Sequence, residues 1–338
     1  MLNVGVIGAS GYAGAETLRL CLGHPDFEVV VATGDSQAGA AIVDLYPNLA
    51  AAVGNRVFDS YSADLVAGLD LVFLGLPHGA SQAIAGEVLG HVKHVVDLSA
   101  DFRLHDPAIY EHWYATGHSA PELIEQFAYG LPELFRSEIV GARAVAAPGC
   151  YPTAAALALT PLVRAGAIGN DGVIVDAASG VSGAGRPPKA NTTFCAVDED
   201  YVAYGLLDHR HTPEIEQAVG ARVLFTPHLA PMNRGILATC YARPVGATST
   251  GALLEILHSA YDAEPFVVVR DDPPSTKATL GSNAAHLTAR YDDRTGHVLV
   301  LCAIDNLMKG AAGQAVQCAN LLAGLDEATG LTSLGVYP

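Results

Sequence analysis

A chain of 338 residues exceeds the roughly 250 to 300 residues at which a single hydrophobic core stops growing, so two domains with a cleft between them are expected. Half of the residues are hydrophobic and 16% are charged, which supplies enough apolar surface for large interiors and excludes intrinsic disorder. The formal charge of −17 repels polyphosphate backbones and anionic lipid, so neither nucleic acid nor membrane is an expected partner, whereas an anionic small molecule can still be held by a few arginines.

In chain order, apolar runs at residues 4–8, 28–32, 69–76, 94–97 and 144–147 predict strands, with helices over 13–22 and 80–89 between them. Such alternation predicts an α/β fold: a Rossmann-like parallel sheet with helices on both faces and its crevice at the carboxyl ends of the strands. The chain opens MLNVGVIGAS, a buried-strand pattern without a basic leader, and nowhere runs 18 apolar residues unbroken, which predicts a cytoplasmic, reducing setting. Six cysteines at 21, 150, 195, 240, 302 and 318 form no C-x-x-C pair, which argues against a metal site and a disulfide framework.

The first strand runs into G-A-S-G-Y-A-G, with Gly8, Gly11 and Gly14 at three-residue spacing and Ser10 and Tyr12 between them. Glycine serves first for the tight turn, next for close approach of a pyrophosphate, and third for helix-on-strand packing. A glycine triplet alone is a weak signal; at the first strand-to-helix turn of an alternating pattern it predicts dinucleotide binding. At the end of the second strand the chain reads A-T-G-D-S-Q-A-G, where Asp35 suits a ribose 2′-hydroxyl and Ser36 with neighbouring N–H groups suits a 2′-phosphate, leaving the cofactor open. Pro77 and His78, in the G-L-P-H-G turn, are expected to line the crevice, and Arg103 in S-A-D-F-R follows the fourth main strand, where a guanidinium could hold phosphate.

Cys150 stands in A-A-P-G-C-Y-P-T, between a short buried strand and a helix that Pro152 and Thr153 help to start, where the helix dipole favours the thiolate. The other five cysteines lie in apolar segments and are expected to be buried and inert. Beyond it come a helix over 151–164 and longer strands at 172–177, 222–227, 235–244, 266–269, 285–291 and 297–305, with few helices between, predicting an α+β domain with a mixed sheet whose open face invites dimerisation. A small-residue helical pattern over 307–325 returns to the first domain. The expected division is therefore 1–149 with 307–338 as the dinucleotide-binding domain and 150–306 as the catalytic and dimerisation domain. The run D-H-R-H-T-P-E-I supplies His209 and His211 as candidate proton carriers, two apart, so that only one is expected to face the thiol. Gly180, Gly183 and Gly185 form a second, flexible loop, and Arg186, Lys189, Arg210 and Arg234 are further candidate cations.

GASGYAGAE, FLGLPHGAS, DLSADFR, APGCYPT, SGVSGAGR, HRHTPEI and DNLMKGAAGQAVQ occur in that order. Together, over essentially the whole chain, they resemble the N-acetyl-γ-glutamyl-phosphate reductase family of arginine biosynthesis, a relative of aspartate-semialdehyde dehydrogenase. The resemblance implies NADPH-dependent reduction of an acyl phosphate to an aldehyde: Cys150 forms a thioester, hydride reduces it, and His211 or His209 manages the proton. It also implies cofactor contacts at Gly8, Ser10, Gly11, Tyr12, Gly14, Ser36, Pro77, Gly183 and Asn306, substrate contacts at Arg103, Arg210, Glu214 and Ser182, no metal, and a homodimer or homotetramer. One segment departs from the family pattern: many relatives carry Ser or Arg after the second strand, where this chain has Gly34 and Asp35. A sister reductase of aspartyl or carrier-linked aminoadipyl phosphate shares this chemistry, and a non-catalytic redox sensor would keep the glycines and lose the nucleophile.

Overall fold

The apolar runs near the amino terminus become strands of one sheet in the computed structural model, which describes residues 1–338. Residues 1–148 and 311–331 form one unit, and residues 149–310 and 332–338 form another.

The first unit contains β1 (Leu2–Ile7), α1 (Tyr12–Leu22), β2 (Phe27–Ala32), β3 (Leu71–Leu74), α2 (Ala80–His91), β4 (His94–Asp97), α3 (Pro107–Tyr114), β5 (Phe127–Tyr129), α4 (Pro132–Ile139) and β6 (Ala144–Ala146). Its six strands pair in parallel in the order β2-β1-β3-β4-β6-β5. Val72 and Leu74 of β3 pack with Ala85, Val88 and Leu89 of α2 on one face. Leu71 and Phe73 are equally buried on the other, where α1 and the carboxyl-terminal helix Gly313–Leu322 meet the sheet. The chain order reverses at β1, between β2 and β3, and such a reversal opens a ligand crevice at the carboxyl ends of those strands.

Three local expectations change. The third strand ends at Leu74 rather than 76, because the backbone turns away at Gly75–Gly79. Strand β5 is an addition; at three residues it is too short for a periodicity. Helices α3 and α4 are also additions, although each begins with proline at its first turn and the Asp106 carboxylate accepts the Ala108 N–H of α3.

In the second unit, α5 (Cys150–Arg164) is followed by β7 (Val173–Ser179), β8 (Val202–Ala203), α6 (Thr212–Val219), β9 (Val223–Leu229), β10 (Ile236–Ala242), α7 (Thr250–Tyr261), β11 (Val267–Val269), β12 (Ala285–Asp292) and β13 (His297–Ile304). The strands form a mixed sheet in the order β11-β12-β13-β10-β7-β9-β8. Every residue of α5 from 151 to 162 is buried, so this helix is the core of the unit. Pro161 lies inside α5 and lacks the N–H that would reach the Leu157 carbonyl; the Tyr261 hydroxyl of α7 donates to that oxygen instead, at 2.7 Å. Helix α7, capped by Ser249, was not expected, so this unit is richer in helix than its sequence texture indicated.

The opposite face of this sheet is open. Leu224 of β9, Ile174 of β7, Tyr241 of β10 and Leu299 of β13 stand opposite one another in register, and the first three are 48, 40 and 38% exposed. The carboxyl-terminal tail departs from the expected division: Asn283 N–H donates to Thr332 O and Val336 N–H to Leu280 O, which anchors residues 332–338 in the second unit. The expected helix over 307–325 opens instead as a π-helical turn at Met308–Ala312 and continues as Gly313–Leu322. Cys195, expected to be buried, is exposed, because Phe194–Val197 is a four-residue turn whose own Phe194 faces solvent. No helix is long and apolar enough to cross a membrane.

At the end of β4 the fully buried Asp97 carboxylate accepts from Ser81 Oγ at 2.8 Å and Ser99 Oγ at 2.6 Å, and burial pushes its pKa up to about 6. The folded chain thus binds this proton more tightly than the unfolded chain. The resulting stabilisation is complete below pH about 4 and is lost as pH rises through about 6. Asp97→Asn is expected to remove about 3 kcal/mol of pH-dependent stability across that window. Thermal denaturation of both proteins between pH 4 and 7 checks this, and parallel curves would refute it.

Candidate active site

The glycine-rich turn is shaped by close backbone approaches. Gly8 has φ +86°, and a Cβ there would stand 2.5 Å from the Gly75 carbonyl oxygen. A Cβ at Gly14 would stand 2.2 Å from the Gly8 oxygen, so α1 presses on the turn as the third glycine was expected to allow. Gly11 caps α1 without a side chain, and a Cβ there would meet only the Gly8 oxygen at 3.7 Å, leaving the N–H groups of the first turn for an anion. This cradle fits a pyrophosphate. Ser10 is an internal tie rather than an open donor, its Oγ donating to Gly34 O while the Tyr46 hydroxyl donates to Ser10 O. Tyr12 is the partly exposed first residue of α1, and Ser36 is exposed in the turn after β2.

Pro77 and His78 are exposed in the turn after β3, at the carboxyl edge of the sheet. That turn is held by a group not singled out from the sequence. Asp101 is fully buried and accepts the Gly79 N–H at 2.6 Å, the Gln82 N–H at 3.1 Å and the Tyr110 hydroxyl at 3.0 Å, capping α2 from twenty residues downstream. Arg103 is buried, and its guanidinium donates to the carbonyls of Ala147 and Leu98, both at 2.8 Å.

In the second unit, Cys150 is half-buried at the first position of the 15-residue α5. The residue before it is fixed by Glu214, a 1% exposed carboxylate that accepts the Gly149 N–H at 2.8 Å. On another side, a Cβ at Gly310 would stand 2.7 Å from Cys150 Cβ, so the π-helical turn lays bare backbone against the cysteine. The buried thiols of Cys21 and Cys302 are raised above their ordinary value by burial, and that of Cys240 is pushed up to about 12, which leaves them unreactive.

His209 and His211 converge rather than diverge. Thr212 N–H donates to His209 O, and this tight turn brings the two rings within 4.9 Å and sets both edge-on to Tyr151, at 5.8 and 6.0 Å. His209 Nδ1 accepts the His211 N–H at 3.1 Å, and burial lowers its pKa to about 4. The Tyr204 hydroxyl donates to the Tyr151 hydroxyl, which donates to His228 O. Burial holds the Tyr151 phenol far above its ordinary value and pushes Tyr204 up to about 12, so both remain neutral donors. The neighbouring Arg210 is exposed.

The second glycine loop is ordered rather than flexible. Gly180 N–H, Val181 N–H and Ser182 N–H donate to carbonyls of Gly235, Met232 and Asn233, pinning the turn Val181–Ala184. Ser182 Oγ accepts from buried Asn306 Nδ2 at 2.9 Å, and Asn306 Oδ1 accepts the Gly235 N–H at 2.7 Å. Gly183 lies on the exposed side of that turn. Arg234 reaches the buried Asp305 carboxylate at 3.6 Å, and Lys189 is exposed downstream.

Residues 3–142 match the family described as semialdehyde dehydrogenase, NAD binding domain, and residues 150–306 match semialdehyde dehydrogenase, dimerisation domain. The N-acetyl-gamma-glutamyl-phosphate reductase of Symbiobacterium thermophilum is 48% identical over 100% of this chain and 99% of its own. That of Desulforudis audaxviator is 47% identical over the whole of both chains. This chain belongs to the N-acetyl-γ-glutamyl-phosphate reductase family. Among solved structures, aspartate semialdehyde dehydrogenase II of Vibrio cholerae shares the reductase fold with a TM-score of 0.71 at 16% identity, covering 96% of this chain and 98% of that one. The Candida albicans enzyme with NADP gives 0.68 at 16% identity, covering 96% and 98%.

The anchoring of Gly149 in this reductase has a measurable weight. Glu214→Ala leaves a buried N–H without an acceptor and is expected to destabilise the chain by about 1 to 3 kcal/mol, while Glu214→Gln, which keeps an acceptor oxygen, loses less. Denaturant titration of the three proteins checks this; equal midpoints would show the contact to be dispensable.

Proposed function

We propose that this protein reduces N-acetyl-γ-glutamyl phosphate to N-acetyl-glutamate 5-semialdehyde with release of phosphate, a step of arginine biosynthesis. The observation that carries the mechanism is Cys150, held half-buried at the start of a long helix by the Glu214 contact while Cys21, Cys240 and Cys302 are sealed in the interior. A carboxylate resists hydride, whereas a thioester lacks its charge and resonance. The Cys150 thiolate attacks the acyl carbon, the C–O bond to phosphate breaks, and a thioester remains. A reduced nicotinamide dinucleotide, when bound, supplies the hydride for this thioester. Collapse then breaks the C–S bond, and the aldehyde leaves with the sulfur reprotonated.

His211 is assigned the proton transfer. His209 already has Nδ1 engaged by the His211 N–H and stays neutral, which suits an orienting part. Arg210, exposed on the same turn, and Ser182 are assigned to the substrate's anionic groups. Glu214 and Arg103 also have backbone partners, which supports a part in holding the turns around residues 98 and 147–150. The cradle of Gly8, Gly11 and Gly14, with Tyr12 and Pro77 beside it, would hold the dinucleotide. Asn306 and Gly183 are assigned to its nicotinamide end. NADPH is the donor that the resemblance implies, and the adenosine end of the site decides between it and NADH. A cytoplasmic, reducing setting suits a free thiol.

Phosphate-dependent reduction of dinucleotide with N-acetyl-glutamate semialdehyde tests the reaction, with aspartate semialdehyde as the competing substrate. Cys150→Ser is expected to bind dinucleotide normally and to lose about a thousandfold or more in turnover. Turnover near that of the parent enzyme would remove the nucleophile and the mechanism with it.

The match to a dimerisation domain supports a homo-oligomer, and we assign the contact to the open sheet face around Ile174, Leu224 and Tyr241. A dimer or a tetramer of this chain fits that face. Placing charge there, as Ile174→Asp with Leu224→Asp, is expected to yield monomers in sedimentation equilibrium; an unchanged mass would move the interface elsewhere.

A further inference from the structure

A nicotinamide-dinucleotide site, as proposed above, leaves its adenosine-ribose end undefined, and the preference inferred for that end rests on that reading. In folds of this class the loop after the second strand meets that ribose. Here the loop begins at Gly34, where no side chain fits: a Cβ would stand 2.6 Å from Phe58 Cβ and 2.8 Å from its Cγ. The polar side chains of the corner are therefore Asp35 and Ser36, both exposed. Asp35 has φ +48°, a left-handed conformation that Asp tolerates better than most residues. Its carboxylate has no hydrogen bond or ion pair within the protein, so it is open to a ligand hydroxyl.

A phosphorylated ribose brings nearly two negative charges and calls for a guanidinium or ammonium group. None is at hand. From residue 33 to residue 55 the chain has no Lys or Arg, while it has Asp35 and Asp44. The first unit holds only Arg19, Arg56, Lys93, Arg103, Arg136 and Arg143, and each already has a partner. Arg19 pairs with Glu16, Lys93 with Asp70 and Arg136 with Glu327. Arg56 donates to the carbonyls of Val29 and Val30, Arg103 to those of Leu98 and Ala147, and Arg143 to those of Leu89 and Val92. Arg56, the first cation after the loop in sequence, is thereby tied along β2.

We infer that the adenosine end of this site is built for an unphosphorylated ribose, with Asp35 accepting from its 2′-hydroxyl, so that the protein prefers NADH to NADPH. The preference runs opposite to the donor implied by the family resemblance, and a single side chain carries it. Ser36 and the N–H groups of the loop can contact either sugar; Asp35 discriminates because it attracts a hydroxyl and repels a phosphate.

Equilibrium titration of the full-length protein with NADH and with NADPH, followed by calorimetry, tests this without turnover. NADH is expected to bind about tenfold or more tightly than NADPH. Asp35→Asn, which keeps the shape and tolerates the same backbone, is expected to narrow that ratio about tenfold, and Asp35→Arg to invert it. The kcat/KM values for the two donors should follow the same order. Tighter binding of NADPH by the parent protein, or an unchanged ratio in Asp35→Asn, overturns the inference while leaving the reductase intact. Binding of neither dinucleotide would instead bring down the cofactor reading on which it rests.

Discussion

The buried contact between the Glu214 carboxylate and the Gly149 N–H holds the residue preceding the proposed nucleophile, and the rest of the second unit is arranged around it. A carboxylate that is 1% exposed requires a partner, and a loop N–H just before a helix has none of its own. Each group therefore settles the other. Because α5 is buried along twelve consecutive residues, its amino terminus cannot drift, and Cys150 inherits that rigidity. Gly310 completes the enclosure from a direction that any side chain would block. The cysteine is thus confined through the Glu214 carboxylate at Gly149 and by the backbone of Gly310 yet remains half-exposed, the condition a nucleophile requires.

Sequence reasoning succeeded where a pattern is local. The parallel strands of the first unit, the Gly8 to Gly14 turn and the helix following Cys150 all follow from runs of residues whose periodicity or spacing has one physical solution. It failed where a partner is remote. Asp101 caps α2 across about twenty residues, and Tyr261 satisfies the carbonyl exposed by Pro161 across a hundred. Neither pairing leaves a trace in the local sequence. Cys195 shows another limit: its apolar neighbours suggested burial, but the four-residue helix Phe194–Val197 buries only Val197 and leaves Phe194 and Cys195 exposed. The convergence of His209 and His211 likewise depends on the Thr212 N–H closing a turn, whereas two-residue spacing along a helix would have sent the rings to opposite sides.

Charge has two levels in this molecule. The net −17 governs encounters with polyanions, but it does not determine what a crevice binds, because cations can be concentrated locally. In the first unit every arginine and lysine already has a partner within the protein. Three of its five arginines donate to backbone carbonyls, and the remaining two and the lysine pair with carboxylates. Arginine there acts as a structural donor, tying strand ends and loops together through groups that the sheet leaves unpaired. A motif that identifies the dinucleotide fold therefore says little about which dinucleotide is held. The pyrophosphate cradle depends on missing side chains, which any member of the fold must preserve, whereas the contact proposed for the ribose end rests on the exposed Asp35, which can change without disturbing the fold.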